Sequence, residues 1–261
     1  MHRVIIPVDF SDTSLKAARY AAQMLAEKKD SAAMLYNNYD TKNDHDTSIN
    51  HLEDLKKEFL AAGVNDVELE YEMGGDLVDN IIRLAQTFRA TLVVMGIKGK
   101  STVEQALFGS NTLKLIDKNI YPVMIIPHEA VYNGINNVAF ASDFENIEAS
   151  TPSVLINSVL EMFNPMLHIV NVNSAHYVSL TEDIQQGKEK FRELFGNFKI
   201  EFYFITMNDF FEAMDNFVRD YKIDMLITVP RHRSNSISIF KTSHTKRLVY
   251  HSRIPILASH Q

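Results

Sequence analysis

The sequence predicts a doubly wound α/β fold built twice. Short apolar runs alternate with helical periodicity along the chain, and the alternation restarts after about 133 residues. Several runs, such as Leu92-Val93-Val94-Met95, are apolar at every position, so they belong to strands covered on both faces. Strands separated by helices form a mostly parallel sheet with helices on both sides. Two five-stranded sheets of this kind account for the whole sequence.

In the first copy the pattern places strands at about 3–9, 32–38, 67–73, 91–96 and 122–127. Helices fall near 13–28, 47–62, 76–89 and 110–118. Leu15, Ala18, Ala22 and Leu25 share one face of the first helix, and Ser11 or Asp12 is placed to cap it. Leu77, Ile81, Leu84 and Phe88 do the same for the third helix, with Asp76 as its cap. Glu68, Glu70 and Glu72 alternate, which predicts the wet face of the third strand. The second copy places strands near 136–142, 166–172, 199–205, 223–229 and 255–258.

The repeat shows in the residues themselves. Arg3-Val-Ile-Ile-Pro-Val-Asp-Phe10 aligns with Asn137-Val-Ala-Phe-Ala-Ser-Asp-Phe144 at an offset of 134. Leu77, Ile81, Leu84, Ala85 and Phe88 match Phe210, Met214, Phe217, Val218 and Tyr221 at an offset of 133. Leu92-Val-Val-Met-Gly96 matches Met225-Leu-Ile-Thr-Val229, and Pro122 matches Pro255, at the same spacing. The expected domains are 1–132 and 136–261, each of ordinary domain size, joined through Tyr132-Asn133-Gly134.

Bulk properties narrow the function. The 261 residues are 46% hydrophobic and 23% charged, as in a packed globular protein. With no cysteine there is no thiol nucleophile, disulfide or cysteine-ligated metal site. No run approaches the ~18 apolar residues of a membrane span, and the start lacks a secretory h-region, so a soluble cytoplasmic protein without a membrane partner is expected. The net charge of −7 argues against a nucleic-acid partner. Glycine is scarce: there are nine, and none in the last 65 residues.

Three of these glycines gather at one strand end. The fourth strand runs into Met95-Gly96-Ile97-Lys98-Gly99, and Phe108-Gly109-Ser110-Asn111-Thr112 precedes the next helix, giving Gly-x2-Gly-x9-Gly-Ser. In open α/β sheets ligands bind beyond the carboxyl ends of the strands. Bare backbone N–H groups and the positive end of the following helix suit a phosphate. Lys98 adds a point charge and Ser110 a hydroxyl donor. The spacing is neither GxxxxGK[ST] nor GxGxxG. The plainer reading makes these glycines turn residues, Asp9 a helix cap and Lys98 a solvated lysine.

At this spacing the sequence resembles the universal stress protein family in its tandem, two-domain form. Val-Ile-Ile-Pro-Val-Asp-Phe-Ser at the start and Pro-Val-Met-Ile-Ile-Pro at the end of the first copy are similar to that family's first and last strands. The resemblance implies a Rossmann-like fold binding ATP or a related adenine nucleotide, with or without Mg2+. It carries Pro7, Val8 and Asp9 to the adenine and ribose side, and Gly96, Lys98, Gly99, Gly109, Ser110 and Asn111 to the phosphates. The family's apolar adenine contact at the second strand's end falls on Tyr36-Asn37-Asn38, a departure from the pattern. The last strands, Val123-Met-Ile-Ile126 and Ile254-Pro-Ile-Leu257, suggest a pseudo-dimer within the chain and leave a homodimer open.

The second copy has lost the loop. Gly96, Gly99 and Gly109 correspond to Val229, His232 and Thr242 (or Lys241), and Pro230 removes a backbone donor, so one nucleotide per chain is expected. From Met225 onward there is no acid, while Arg231, Arg233, Lys241, Lys246, Arg247 and Arg253 stand with His232, His244, His251 and His260. This is a solvated basic face or a surface for an anionic ligand or partner. The histidines lack tight metal-ligand spacing, so no metal site is expected. Asp44, His45, Asp46 and His51 read as a solvated loop and helix start, and Phe210, Phe217 and Tyr221 as core. No catalytic residue is evident. The expected function is a nucleotide-responsive stress or regulatory module; the alternatives are a slow ATP hydrolase using Asp9 and a metal ion, and a nucleotide-independent scaffold.

Overall fold

A computed structural model describes residues 1–97, 110–118, 120–173, 182–229 and 252–259. The chain divides into two compact units, Met1–Tyr132 and Asn133–Gln261. Among the described residues no helix is long and apolar enough to cross a membrane.

In the first unit the elements are β1 (His2–Pro7), α1 (Asp12–Ala26), β2 (Ser31–Tyr39), α2 (His45–Ala62), β3 (Val67–Met73), α3 (Leu77–Phe88), β4 (Leu92–Ile97), α4 (Ser110–Lys118) and β5 (Val123–Pro127). The strands run parallel in the order β3-β2-β1-β4-β5. β1 lies between β2 and β4, so the chain departs from it first to one side and later to the other. That reversal creates a crevice beyond the carboxyl ends of β1 and β4. Val4, Ile5, Ile6, Val93 and Val94 are wholly buried, as unbroken apolar strands covered on both faces must be.

Local chemistry starts two of these helices. Ser11 accepts the Ser14 N–H and caps α1, while Asp76 accepts from Val78 and Asp79 and caps α3. The three glutamates of β3 do not simply form a wet face. Glu68 is exposed, but Glu70 and Glu72 are half-buried, and Tyr71 and Met73 on the other side are exposed. β3 is the outer strand of this sheet, so water reaches both faces, and Glu72 is drawn in by Tyr36 and Arg83. Tyr132 is held to the first unit: its hydroxyl donates to Glu27 (2.8 Å) and its ring meets Tyr20 edge-on.

The second unit repeats the order with β6 (Asn137–Ala141), α5 (Ile147–Ser150), α6 (Ser153–Leu160), β7 (Met166–Asn173), α7 (Glu182–Leu194), β8 (Lys199–Thr206), α8 (Phe210–Asp220), β9 (Met225–Thr228) and β10 (Ile256–Ala258). Its sheet order, β8-β7-β6-β9-β10, is that of the first unit. The repeat is inexact at the first helix. Where α1 is continuous, the second unit breaks between α5 and α6 at Thr151-Pro152, because proline disfavours helix at the residue before it. Of the aromatic residues expected in the α8 core stripe, Phe217 is buried, Phe210 half-buried and Tyr221 43% exposed.

His168 on β7 is buried in this unit's core. Its ring nitrogens lie 3.3 Å from the Tyr203 hydroxyl and 3.2 Å from the Asn137 amide oxygen, and Phe217 and Tyr221 pack around it. Burial pushes its pKa below the ordinary histidine value, against the opposing pull of the Glu201 carboxylate. The folded state therefore resists a proton that the unfolded chain accepts, and stability falls as pH drops below ~6.5. Replacing His168 with phenylalanine should remove that dependence. The difference in urea midpoint between the native chain and H168F is expected to shift toward the variant from about pH 7 to about pH 5. A pH-independent difference excludes His168 as the titrating group.

Candidate functional site

The site begins at the end of β1. Asp9 Oδ1 accepts the Ser11 N–H at 3.0 Å, and its own N–H donates to the Ser14 hydroxyl at 3.3 Å. The turn puts Phe10 at φ 61°, a left-handed conformation that costs a bulky residue energy and needs support from its surroundings. The His51 ring, 4.9 Å away, supplies part of that support. Asp9 is thus not the cap of α1; Ser11 is, and Asp9 holds Ser11. Burial raises the Asp9 pKa, but hydrogen bonds from Ser11 and Ser14 outweigh it and hold the carboxyl below its usual range. Asp9 is an exposed, ionised acceptor.

The same turn recurs in the second unit. Asp143 Oδ1 accepts the Glu145 N–H at 2.9 Å, with Phe144 at φ 64°. A second shared device escaped sequence reading. Asn37 Nδ2 donates to the Val8 carbonyl at 2.7 Å, and Asn171 Nδ2 to the Ser142 carbonyl at 2.9 Å. Each ties the chain beyond the unit's first strand to its second strand. Their recurrence at one offset, Asn37 and Asn171, was the available signal. The Asp-Phe turn and the asparagine tie therefore belong to the fold.

The first unit carries a cavity of about 250 Å³ at its switch point. That is just below the ~300–1,000 Å³ usual for small-molecule pockets. Pro7, Val8 and Asp9 come from the end of β1; Ser11, Thr13 and Ser14 from the start of α1; Tyr36 and Asn38 from β2. Leu77 opens α3, Met95 and Gly96 end β4, and Asn111 and Thr112 lie in the first turn of α4. The N-termini of α1, α3 and α4 thus converge on one space, and first-turn N–H groups lack intrahelical partners. Thr112 is buried and its hydroxyl donates to the Gly96 carbonyl at 3.4 Å, tying α4 to β4.

Gly96 has a tertiary reason beyond ligand access. A Cβ there would sit 2.5 Å from the Thr13 carbonyl oxygen and 2.9 Å from Thr13 Cγ2. The bare backbone at this position is what lets α1 approach β4 closely. In the second unit the equivalent is Val229, and the helix there follows Asn146, left-handed and without a side-chain cap bond.

Of the residues singled out from sequence, Pro7, Val8, Asp9, Gly96 and Asn111 meet at the cavity. Lys98, Gly99 and Gly109 lie outside the described residues, as does the side chain of Ser110, whose backbone opens α4. The second-copy positions His232 and Thr242, with Pro230 and Lys241, also lie outside them, and so does the basic and histidine-rich segment apart from the exposed Arg253. Sequence reasoning missed Ser14, Leu77, Met95 and Thr112 as lining residues, while Tyr36 and Asn38, the departure from the family's apolar pattern, do line the cavity. His45, expected in a solvated loop, meets the rings of Tyr39 and Tyr71 edge-on. Among the described residues no three His, Asp or Glu side chains gather as metal ligands.

A parallel, doubly wound sheet with a cavity at its switch point, ringed by helix N-termini, defines the architecture: an open α/β fold with a crevice where such folds receive ligands. A sequence model of the universal stress protein family matches residues 1–127, the strands and helices of the first unit. The structure is similar to that of a universal stress protein from Archaeoglobus fulgidus, with a TM-score of 0.77 and 18% identity over 99% of this chain and 98% of that one. A candidate universal stress protein of Pseudomonas aeruginosa gives 0.66 and 15% identity over 100% of this chain and 93% of its own. At those identities the likeness is one of fold. A universal stress protein solved in complex with cAMP is 27% identical over 49% of this chain and 97% of its own, with a TM-score of 0.41. No curated protein matches the chain by sequence.

Proposed function

We propose that the first unit binds ATP or a related adenine nucleotide and that the chain acts as a nucleotide-responsive stress or regulatory module. The observation that carries this reading is the cavity at the switch point, on which three helix N-termini converge. Strand order divides its lining. Tyr36, Asn38 and Leu77 stand on the β2 side of β1, while Met95, Gly96, Asn111 and Thr112 stand on the β4 side. The base lies on the first side and the phosphates on the second, where α4 begins. Between them the ionised Asp9 accepts from the ribose hydroxyls.

The fit extends to charge. The described lining holds one carboxylate, Asp9, and no cationic side chain, so phosphate is met by first-turn N–H groups of α4, by Asn111 and by the loop carrying Lys98, Gly99 and Gly109. Mg2+, if it accompanies the nucleotide, has Asp9 as its carboxylate on this wall. With Val229 at the Gly96 position, the second unit is read as not sharing the site.

Calorimetric titration with ATP, ADP and cAMP tests the proposal. One nucleotide per chain is expected, and Gly109→Val should weaken ATP about 100-fold or more, because a β-branched side chain displaces the phosphate from its donors. Two equivalent sites, or a G109V chain with unchanged ATP affinity, would overturn it.

A further inference from the structure

Just beyond the carboxyl end of β5 a histidine is held between two opposite charges. His128 Nε2 lies 2.6 Å from Asp12 Oδ2, and Lys16 Nζ lies 3.3 Å from His128 Nδ1 and 3.4 Å from the His128 carbonyl oxygen. Asp12 and Lys16 are four residues apart and share one face of α1. A carboxylate can only accept and an ammonium can only donate, so these partners assign the ring hydrogen to Nε2 and the lone pair to Nδ1. In this arrangement the imidazole is neutral, and the three groups together carry no net charge. The hydrogen bond from His128, with Lys16 adding to it, outweighs burial and holds the Asp12 carboxyl below its usual range, so Asp12 stays ionised.

The cluster borders the cavity on the side given to phosphate. Ser11, Thr13 and Ser14 flank Asp12 at the start of α1 and line the cavity. β5 neighbours β4 with Pro127 opposite Ile97, so His128 stands one residue beyond the end of β4 from which the glycine-bearing loop departs. The described lining has no cationic side chain to neutralise an anion, which leaves its charge to be felt by nearby groups such as these. Among the described residues the charged groups facing His128 are Asp12 and Lys16. Arg19, further along α1, acts on Asp12 from a distance, and Glu129, next in the chain, is exposed.

Histidine is the side chain whose charge ordinarily changes between pH 5 and 8. A proton on Nδ1 sets an N–H against the Lys16 ammonium and leaves Nε2–H on Asp12. The imidazolium therefore keeps one tie, releases Lys16 from the other, and adds a positive charge beside the site. We propose that Asp12, His128 and Lys16 form a proton-linked anion switch: nucleotide phosphate favours the protonated His128, and the chain holds nucleotide more tightly as pH falls. The inference rests on the nucleotide-binding reading above and adds its regulation. The sign follows from reciprocity, since a bound anion that strengthens proton binding at His128 is itself bound more strongly once the proton is there.

The test is ATP affinity of the full chain by calorimetry at pH 8 and pH 6. His128→Gln keeps an Nε2 donor for Asp12 but does not titrate, so it also subtracts the protonation of ATP itself. Relative to H128Q, the native chain is expected to gain about 3-fold in affinity on going to pH 6, as for one screened unit charge near a polyphosphate. His128→Arg carries its charge permanently and should bind ATP about 3-fold tighter than the native chain at pH 8. In the unmutated chain at pH 7, adding ATP should move the His128 ring proton resonances toward their low-pH positions in NMR spectra, a measurement that decides the question even where a variant does not fold. Parallel pH profiles for native and H128Q, or His128 resonances that stay in place or move the other way, overturn the switch and leave nucleotide binding intact. Failure of ATP to bind at either pH overturns both.

Discussion

Replacing Gly96 with valine is expected to destabilise the first unit by about 3 kcal/mol and to abolish nucleotide binding. The new Cβ meets a backbone carbonyl, Thr13 O, at 2.5 Å, and a carbonyl cannot rotate aside as a side-chain end can. Relief requires the first turn of α1 to move off β4. That turn carries Ser11, Thr13 and Ser14 into the cavity and holds the hydroxyls that anchor Asp9, so the displacement dismantles the site as well as the packing. Urea unfolding and an ATP titration on G96V measure the two effects. Gly96→Ala makes the same contact with a smaller group and should lose less stability, though the site should still suffer. A G96V chain with native midpoint and native affinity would show that α1 does not depend on this approach.

Phe191→Ala should cost the second unit about 3–5 kcal/mol. Phe191 of α7 is fully buried, with the rings of Phe140 and Phe144 at 5.7 and 5.4 Å, those of Phe195 and Phe202 at 6.3 and 6.4 Å. One helical turn earlier, Gly187 leaves room for Phe144; a Cβ there would stand 2.8 Å from the Phe144 ring. The helix thus meets the Asp-Phe turn through a glycine and a phenylalanine in succession, and truncating the phenylalanine opens a cavity that neighbouring rings cannot fill without leaving their edge-on contacts. Denaturant unfolding of F191A measures the loss. A cost below about 1 kcal/mol would mean that the cluster collapses readily around the gap.

These two residues show where sequence reading reaches and where it stops. Gly96 was legible as a place needing bare backbone, from its spacing to Gly99 and Gly109. Its packing reason was not, because Thr13 lies 83 positions earlier and meets it only once α1 has folded back over β4. Glu72 looked like one of three solvated glutamates, yet it answers Tyr36 and Arg83, 36 and 11 residues away. Asn38 stood out from sequence only as a departure from an apolar pattern; its amide orientation depends on carbonyls at Glu72 and Gly74.

The sequence by itself determined the strand and helix order, the repeat at an offset near 133, the caps at Ser11 and Asp76 and the asymmetry between Gly96 and Val229. Those features are written in periodicity, cap chemistry and residue size, which act within one or two turns of chain. The tertiary structure decided which side chains share the cavity, because parallel neighbours are joined by long crossovers and their ends meet across tens of residues. It also decided that the Asp-Phe turn and the asparagine tie serve both units, while only the first keeps its first helix continuous, packed over Gly96 of β4. Where the backbone approaches that closely, a Cβ at Gly96 would meet the Thr13 carbonyl, a long-range contact that local sequence does not show.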